Sequence, residues 1–218
     1  MKHKKRPTTG CGHPDTRDNH PVTLQALVDK YLTGKHYWKK VNQTVTDKEG
    51  LELFLSSLED FTAYICGENN IEKVCKGKKY KLNGHQQWLN GKWDVINKVA
   101  CNLKNIGKEE FASFEELIDY VDSKKEKYFG DTAVYDFSLR YGWHHNPRIE
   151  PKDYVYTHSQ PRKGALLLKK LGYLENVARR IKISDFPDEL RHPDMTAKDI
   201  ENFLCIYHDE IKNLPPKK

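Results

Sequence analysis

The sequence predicts a mainly α-helical protein, built as a single helical domain or as two small helical lobes around a cleft. Apolar residues recur at helical spacing in several segments, and three of these segments begin with a helix-capping pattern. The patterns are Thr46-x-x-Glu49, Ser113-x-x-Glu116 and Thr196-x-x-Asp199. No part of the sequence has a convincing set of alternating strands. A chain of 218 residues is long enough to bury one core or to form two small lobes.

The amino-terminal segment differs from the rest of the chain. Residues 1–21 carry several basic residues and three prolines but show no apolar periodicity. We therefore predict that this segment is a basic flexible arm. Residues 22–218 have the apolar periodicity of packed helices, so we predict that they form the helical domain.

Helix starts and stops follow the glycines and prolines of residues 22–218. Gly34 is the predicted end of the first helix, because glycine commonly ends helices. Pro161 begins and Gly172 ends a later helix, and this order is typical of helix termini. A basic connection over 68–82 and a polar loop over 143–154 separate helical segments. The predicted helices are, in chain order, 22–32, 46–67, 84–103, 114–122, 131–141, 161–171 and 197–211.

Positive charge is concentrated in a few segments. The chain has 37 lysines and arginines against 31 aspartates and glutamates, which gives a net charge of +6. Between residues 162 and 182 seven cations accompany one acid, and between residues 73 and 81 five lysines accompany none. Segregated charge of this kind favours a polyanion as partner. The alternative is a solvated surface on which charge happens to be uneven.

Composition excludes several classes of protein. No apolar run is long enough to span a bilayer, and no apolar segment of a secretory signal follows the charged amino terminus. The five cysteines are an odd number and widely spaced, which favours a reducing compartment. We therefore expect a cytoplasmic protein without a membrane partner. Cys11-x-His13, with His20 nearby, is a candidate metal site in the predicted arm, where we favour the alternative of a solvated terminus. The His144–His145 pair lacks a third ligand at short range, so we expect no metal and no cofactor.

Three short motifs follow one another between residues 114 and 172. Gly130-Asp131-Thr132-Ala133 joins two predicted helices, and Val155-Tyr156-Thr157-His158 is an apolar step into a polar corner. Lys169-Lys170-Leu171-Gly172 closes the next helix. In this order the motifs resemble the core of the helix-hairpin-helix DNA glycosylases, in which a Gly-rich turn precedes Thr-Ala and later motifs read V-D-T-H and R-L-G. The resemblance implies a helix-hairpin-helix-like core over residues 114–172.

The resemblance implies a nucleic-acid partner, with DNA favoured over RNA. In a helix-hairpin-helix, backbone N–H groups of the turn and the positive end of the second helix hold a phosphate. The basic helix that follows adds cations of its own, two of them near its positive end. The nucleic-acid contacts expected on this segment are Gly130, Thr132, Arg162, Lys163, Lys169 and Lys170.

At the positions where the family has its two catalytic residues, this chain has other residues. Asp131 stands where lyase members of the family carry a lysine nucleophile, and Tyr156 stands where the family has a catalytic aspartate. Base excision would require another carboxylate to stabilise the cationic sugar and a pocket for the extruded base. The candidate catalytic residues are Asp131, Asp136 and His158. Their alternative roles are a helix N-cap, a solvent-facing helix position and a structural hydrogen-bond partner, respectively.

Two further segments combine aromatic rings with polar side chains. His85 and Gln86 lie close to Trp88, so they can bond base edges or phosphates while the indole stacks. Trp143 precedes two histidines and is predicted to lie on a loop, where an aromatic ring can stack on a base. For the first of these segments, the alternative is that the His and Gln side chains cap the helix and that Trp88 packs in the core.

The sequence therefore predicts a nucleic-acid-binding protein that resembles the helix-hairpin-helix DNA glycosylases, with excision of a modified base as the activity that the resemblance implies. Two alternatives stay open. One is a non-catalytic DNA- or RNA-binding module, and the other is a protein–protein adaptor whose basic helix meets an acidic partner.

Overall fold

A computed structural model of the chain describes residues 23–42, 93–103 and 105–217. The chain divides into two compact units, which we call the terminal unit (Met1–Thr33 with Asp153–Lys218) and the middle unit (Gly34–Lys152). The described residues are mainly helical, as the sequence predicts. Among the described helices, none combines the length and the apolar content that a membrane span requires.

Seven α-helices and two short strands form the regular structure of the described residues. The helices are α1 (Leu24–Asn42), α2 (Trp93–Leu103), α3 (Phe114–Ser123), α4 (Asp131–His144), α5 (Ser159–Lys170), α6 (Ala197–Ile206) and α7 (His208–Ile211). The strands are β1 (Tyr154–Tyr156) and β2 (Arg180–Lys182). Short 3-10 turns lie at Ile106–Lys108, Ile183–Asp185 and Asp188–Arg191.

Part of the predicted organisation lies outside the described residues. This applies to the arm over 1–21, the helix over 46–67, the basic connection over 68–82, and the candidate contacts His85 and Gln86. The predicted helix over 84–103 is described from Trp93 onward, and it ends at Leu103 as predicted.

The first helix is longer than the sequence predicts. α1 continues past Gly34, its predicted end, and reaches Asn42. A glycine in a helix interior costs about 1 kcal/mol relative to alanine, which is too little to end a helix by itself. The apolar spacing did identify the packed face of the first half of α1. Its buried residues are Leu24, Leu27, Val28 and Tyr31.

In the middle unit, α3 and α4 pack against each other. The predicted cap of α3 is present, because the Ser113 hydroxyl accepts a hydrogen bond from the Glu116 N–H at 3.2 Å. The Glu116 carboxylate accepts from the Ala112 N–H at 2.8 Å, one residue before the position that a capping box predicts. The core between and around the two helices includes Phe114, Leu117, Val121, Phe129, Val134 and Phe137.

Residues 124–130 connect α3 to α4 without a glycine in the left-handed region. That conformation falls on Tyr128, with φ of 79°, whereas Gly130 has φ of −76° and extended backbone. A Cβ atom on Gly130 would meet no atom within 4 Å. The fold therefore does not require a glycine at position 130, and the helix-hairpin-helix-like element stays a prediction.

In the terminal unit, β1 and β2 form an antiparallel ribbon that the sequence analysis did not predict. Val155 pairs with Ile181 at its centre, and both side chains are buried. Three-residue strands are too short to show the alternation of polar and apolar residues by which strands are recognised. The ribbon leads directly into α5 through Thr157 and His158.

α5 begins two residues before the predicted Pro161 and ends at Lys170, one residue before its predicted end. Its last turn is closed by hydrogen bonds from the Gly172 N–H to Lys169 and from the Tyr173 N–H to Leu168. Gly172 has φ of 82°, which only glycine adopts without strain, and this is the Schellman arrangement of a helix end. α5 packs on α6, whose predicted capping box at Thr196 and Asp199 is complete.

Candidate functional site

The exposed face of α5 carries four cations around one leucine. Leu166 keeps 47% of its surface exposed although its side chain is apolar. The residues three and four positions away from it on either side are Arg162, Lys163, Lys169 and Lys170, and all four are exposed. Residues at these spacings are neighbours on a helix surface, so the cations surround Leu166. We call these five residues the cationic face of α5.

The opposite side of α5 is buried and packs against α6. Its buried residues are Pro161, Gly164, Ala165 and Leu168. The two helices lie close together at Gly164, where a Cβ atom would lie 2.5 Å from the Leu204 carbonyl oxygen. Because packing on α6 fixes the apolar side of α5, the cationic face is directed to solvent in a fixed orientation.

The cationic face has no acidic neighbour along α5. The helix contains no aspartate or glutamate. None of the ion pairs among the described residues includes a cation of this face. Lys169 and Lys170 lie in the last turn, where cations stabilise the helix dipole, but Arg162 and Lys163 lie near the positive end, where cations are unfavourable. A bound anion would offset that repulsion.

The β1–β2 ribbon brings two more arginines to the segment that leads into α5. The Thr157 N–H donates a hydrogen bond to the Arg179 carbonyl at 2.8 Å, and Tyr156 pairs with Arg180 in the ribbon. α5 begins two residues after Thr157. Arg179 is exposed and Arg180 is half-buried, so the positive charge of this region is not limited to α5 itself.

The start of α4, where the family resemblance implies a phosphate site, carries negative charge instead. Gly130 is the N-cap of α4 and Asp131 is its first helical residue, so the N-cap role considered for Asp131 is wrong. Asp131 is exposed and lies 3.5 Å from Lys125, while Thr132 is half-buried. A carboxylate at this end competes with an anion for the positive end of the helix. α5 is therefore better suited than α4 to hold phosphate.

The two candidate catalytic aspartates do not share one face of α4. Asp136 is only 9% exposed, so the solvent-facing position considered for it is wrong. It lies five positions after the exposed Asp131, which places the two carboxylates about 140° apart around the helix. Both lie in the middle unit, whereas His158 lies in the terminal unit.

Contrary to the sequence prediction, Trp143 does not lie on a loop, and less of its ring is exposed for stacking than a loop position would allow. It lies within α4 and is half-buried. The Arg148 guanidinium lies over its ring, in a cation–π contact. One face of the indole is thus already covered by a cation of the same chain.

His158 and Glu201 form a buried pair at the start of α5. Nε2 of His158 lies 3.3 Å from Oε1 of Glu201, and the two side chains are 4% and 3% exposed. His158 is the N-cap residue of α5 and Glu201 lies in α6, so the pair joins the start of one helix to the other helix. Ser159, the next residue, has φ of 38°, which marks a sharp turn into α5. Burial of this degree favours the structural role considered for His158.

The sequence analysis missed Glu201. This residue lies four positions after Ala197 and three before Leu204, and both of those residues are buried. It therefore occupies the apolar face of α6. A carboxylate on the apolar face of a predicted helix is the signal that identifies such a residue, because buried carboxylates require a partner.

A second polar contact ties α1 to the start of α6. The Tyr31 hydroxyl donates a hydrogen bond to one oxygen of Asp199 at 3.0 Å, and the other oxygen accepts from the Thr196 N–H at 3.0 Å. Burial, together with the Asp199 carboxylate, raises the pKa of Tyr31 far above its usual value. Burial and the nearby Glu210 raise the pKa of Tyr207 to about 12.

The raised pKa of Tyr31 predicts a loss of stability at alkaline pH. Since an unfolded tyrosine has a pKa of about 10, the unfolded state loses its proton first as the pH rises. The contribution of Tyr31 to the free energy of unfolding should thus be constant below pH about 10 and fall above it. Tyr31→Phe should make that fall shallower, which urea unfolding between pH about 8 and about 11 measures.

Tyr128→Phe is the matched control for this prediction, because the Tyr128 side chain is 57% exposed. It should leave the alkaline loss of stability as it is in the wild type. An identical pH dependence for the wild type and Tyr31→Phe would contradict the role given to Tyr31.

No protein-family model, curated protein or solved structure matches this chain. Within residues 23–42, 93–103 and 105–217, no group of three or more His, Cys, Asp or Glu side chains is arranged to hold a metal ion. The candidate site is thus defined by its own charges and contacts.

Proposed function

We propose that this chain binds nucleic acid, DNA in preference to RNA, and that the cationic face of α5 contacts the phosphate backbone. The observation that carries the proposal is the set of four exposed cations that have no ion-pair partner among the described residues. Cations of this kind bind phosphates and release the counterions condensed on a nucleic acid. Arg162 adds a guanidinium whose geometry matches phosphate oxygens.

The fixed orientation of α5 supports the same proposal. The helix is held from behind by α6 and at its start by the His158–Glu201 pair. A rigid cationic surface loses less side-chain and backbone entropy on binding than a mobile one. The resemblance to the helix-hairpin-helix glycosylases favours the same partner, but through the start of α4, where Asp131 now stands.

Charge reversal on α5 tests the proposal. Arg162→Glu combined with Lys163→Glu removes two phosphate contacts, so we expect affinity for DNA to fall at least about tenfold. The slope of log K against log salt should become shallower by about 1.8, because each phosphate neutralised on duplex DNA contributes about 0.9. Fluorescence anisotropy of labelled DNA at several salt concentrations measures both quantities.

Lys108→Glu combined with Lys127→Glu is the matched control. Both lysines are exposed in the middle unit, so this variant changes the net charge equally without touching α5. We expect it to retain most of the wild-type affinity and the wild-type salt slope. Equal losses in both double variants would contradict the assignment to α5, since they would show that only net charge matters.

Excision of a modified base is a second candidate function, and the contact between His158 and the Glu201 carboxylate favours it. That pair lies in the segment that resembles the family's V-D-T-H step. Because both side chains are almost fully buried, a base reaches them only if the start of α5 opens. Alkali treatment of the binding reactions with duplexes that contain oxidised or deaminated bases reveals abasic sites if excision occurs. Binding to an acidic protein in place of DNA would favour the adaptor.

A further inference from the structure

The arrangement of side chains around α5 separates into a central stripe and two flanking rows. At about 100° per residue, Leu166 and Ser159 lie within about 20° of each other and form the stripe. Arg162 and Lys169 lie on one side of this stripe. Lys163 and Lys170 lie on the other side, so each row holds two cations.

All six of these residues are exposed in the terminal unit. The buried residues Gly164 and Leu168 lie more than about 150° from Leu166 around the helix. The apolar side of α5 is thus already packed on α6, and α5 has no apolar face left for a lipid bilayer. A single exposed leucine between two rows of cations fits a surface that is anionic on both sides and has apolar groups between them.

B-form DNA has such a surface in its major groove. The groove is about 12 Å wide, which admits an α-helix, and phosphates line both of its edges. The floor exposes thymine methyl groups beside hydrogen-bonding base edges. The minor groove, about 6 Å wide, is too narrow for a helix, and the major groove of A-form RNA is deep and narrow.

We infer that the partner is B-form duplex DNA and that α5 lies in its major groove with Leu166 and Ser159 facing the bases. This inference rests on the proposed function and names the form of nucleic acid and the groove. The row of Arg162 and Lys169 contacts phosphates of one strand, and the row of Lys163 and Lys170 contacts phosphates of the other. Phosphate contacts position the helix, while Leu166 reads thymine through its methyl group.

The test replaces the thymine methyl groups. Wild-type protein is titrated with an alternating A·T duplex, with the same duplex containing deoxyuridine in place of thymidine, with an RNA duplex of the same length and with single-stranded DNA. We expect the thymine duplex to bind about fourfold more tightly than the deoxyuridine duplex, which is the effect of one buried methyl group. The RNA duplex and the single strand should bind more weakly than either.

Leu166→Ala should remove the difference between the two DNA duplexes and leave the salt slope unchanged. Because Leu166 is 47% exposed, this variant does not threaten the core. Tyr128→Ala is the control, since it removes the other large exposed apolar side chain among the described residues and should keep the difference.

Three outcomes would overturn the inference. Equal binding of duplex DNA, duplex RNA and single-stranded DNA would overturn the major-groove assignment but would leave α5 as a phosphate-binding surface. A thymine preference that survives in Leu166→Ala would overturn the contact of Leu166 with the thymine methyl group, and it too would leave α5 as a phosphate-binding surface. Absence of binding to every nucleic acid would overturn both this inference and the proposed function.

Discussion

His158→Leu should destabilise the protein by about 1–3 kcal/mol, among the largest effects that we expect from a single substitution. The change removes the imidazole from beside Glu201 and leaves a carboxylate that is 3% exposed without its partner. A buried polar group that has lost its partner keeps the cost of desolvation without the compensating contact. Urea unfolding of the full chain, followed by circular dichroism, measures the change.

The double variant His158→Leu with Glu201→Leu distinguishes this explanation from simple damage to the core. Replacing both partners of a buried polar contact by apolar residues can be nearly neutral, so the double variant should recover most of the lost stability. His192→Leu is the control, because Nδ1 of His192 and Oδ2 of Asp194 lie 3.8 Å apart and the two side chains are 38% and 76% exposed. It should change the free energy of unfolding by less than about 0.5 kcal/mol. A double variant as unstable as His158→Leu would contradict the pairing.

Gly164→Ala should destabilise the protein by up to about 2 kcal/mol, although alanine is the better helix former. Helix propensity alone predicts a gain of about 1 kcal/mol. The added Cβ atom, however, would lie 2.5 Å from the Leu204 carbonyl oxygen, and backbone cannot rotate aside as a side chain can. Forcing α5 away from α6 should therefore outweigh the gain, since overpacking of a core costs about 1–3 kcal/mol.

Gly107→Ala is the matched control for Gly164→Ala. A Cβ atom on Gly107 would meet no atom within 4 Å, and the residue is exposed. We expect its effect on the free energy of unfolding to be within about 0.5 kcal/mol. The same urea titration measures both variants. Unchanged or increased stability of Gly164→Ala would show that the two helices do not approach as closely as described.

The features that the sequence predicts well are those set by local chemistry. The end of α5 at Gly172 and the capping of α6 by Thr196 and Asp199 both depend on residues within one helix turn. The exposure of the four cations of α5 also follows from local chemistry, because a helix with no acids and an apolar side must expose its charges. Their contact with nucleic acid stays a prediction. These predictions required no knowledge of tertiary contacts.

Features that depend on distant partners were not predictable in the same way. The pairing of His158 with Glu201 joins residues 43 positions apart, and no local pattern indicates which carboxylate meets the histidine. The burial of Asp136 is a similar case. Residues 133–138 are all buried, so this part of α4 is covered on every side. A helix of this kind has no solvent-facing side to which the sequence pattern could assign Asp136.

The phosphate site that the family resemblance implies and the exposed cations of the chain lie on different helices of residues 114–172. The resemblance implies phosphate binding at the start of α4, where the chain places the exposed carboxylate of Asp131. The cations instead lie on α5, after the Val155–His158 step. The proposed nucleic-acid surface of this chain therefore lies on α5, and not at the start of α4 where the resemblance implies it.

The most direct test of the account is the salt dependence of DNA binding by the wild type and by a variant with glutamine at all four cations of α5. The substitutions are Arg162→Gln, Lys163→Gln, Lys169→Gln and Lys170→Gln. Four phosphate contacts predict that the slope of log K against log salt is shallower by about 3.6 in the variant than in the wild type. Equal slopes for the two proteins would contradict the claim that the cationic face of α5 holds the nucleic acid.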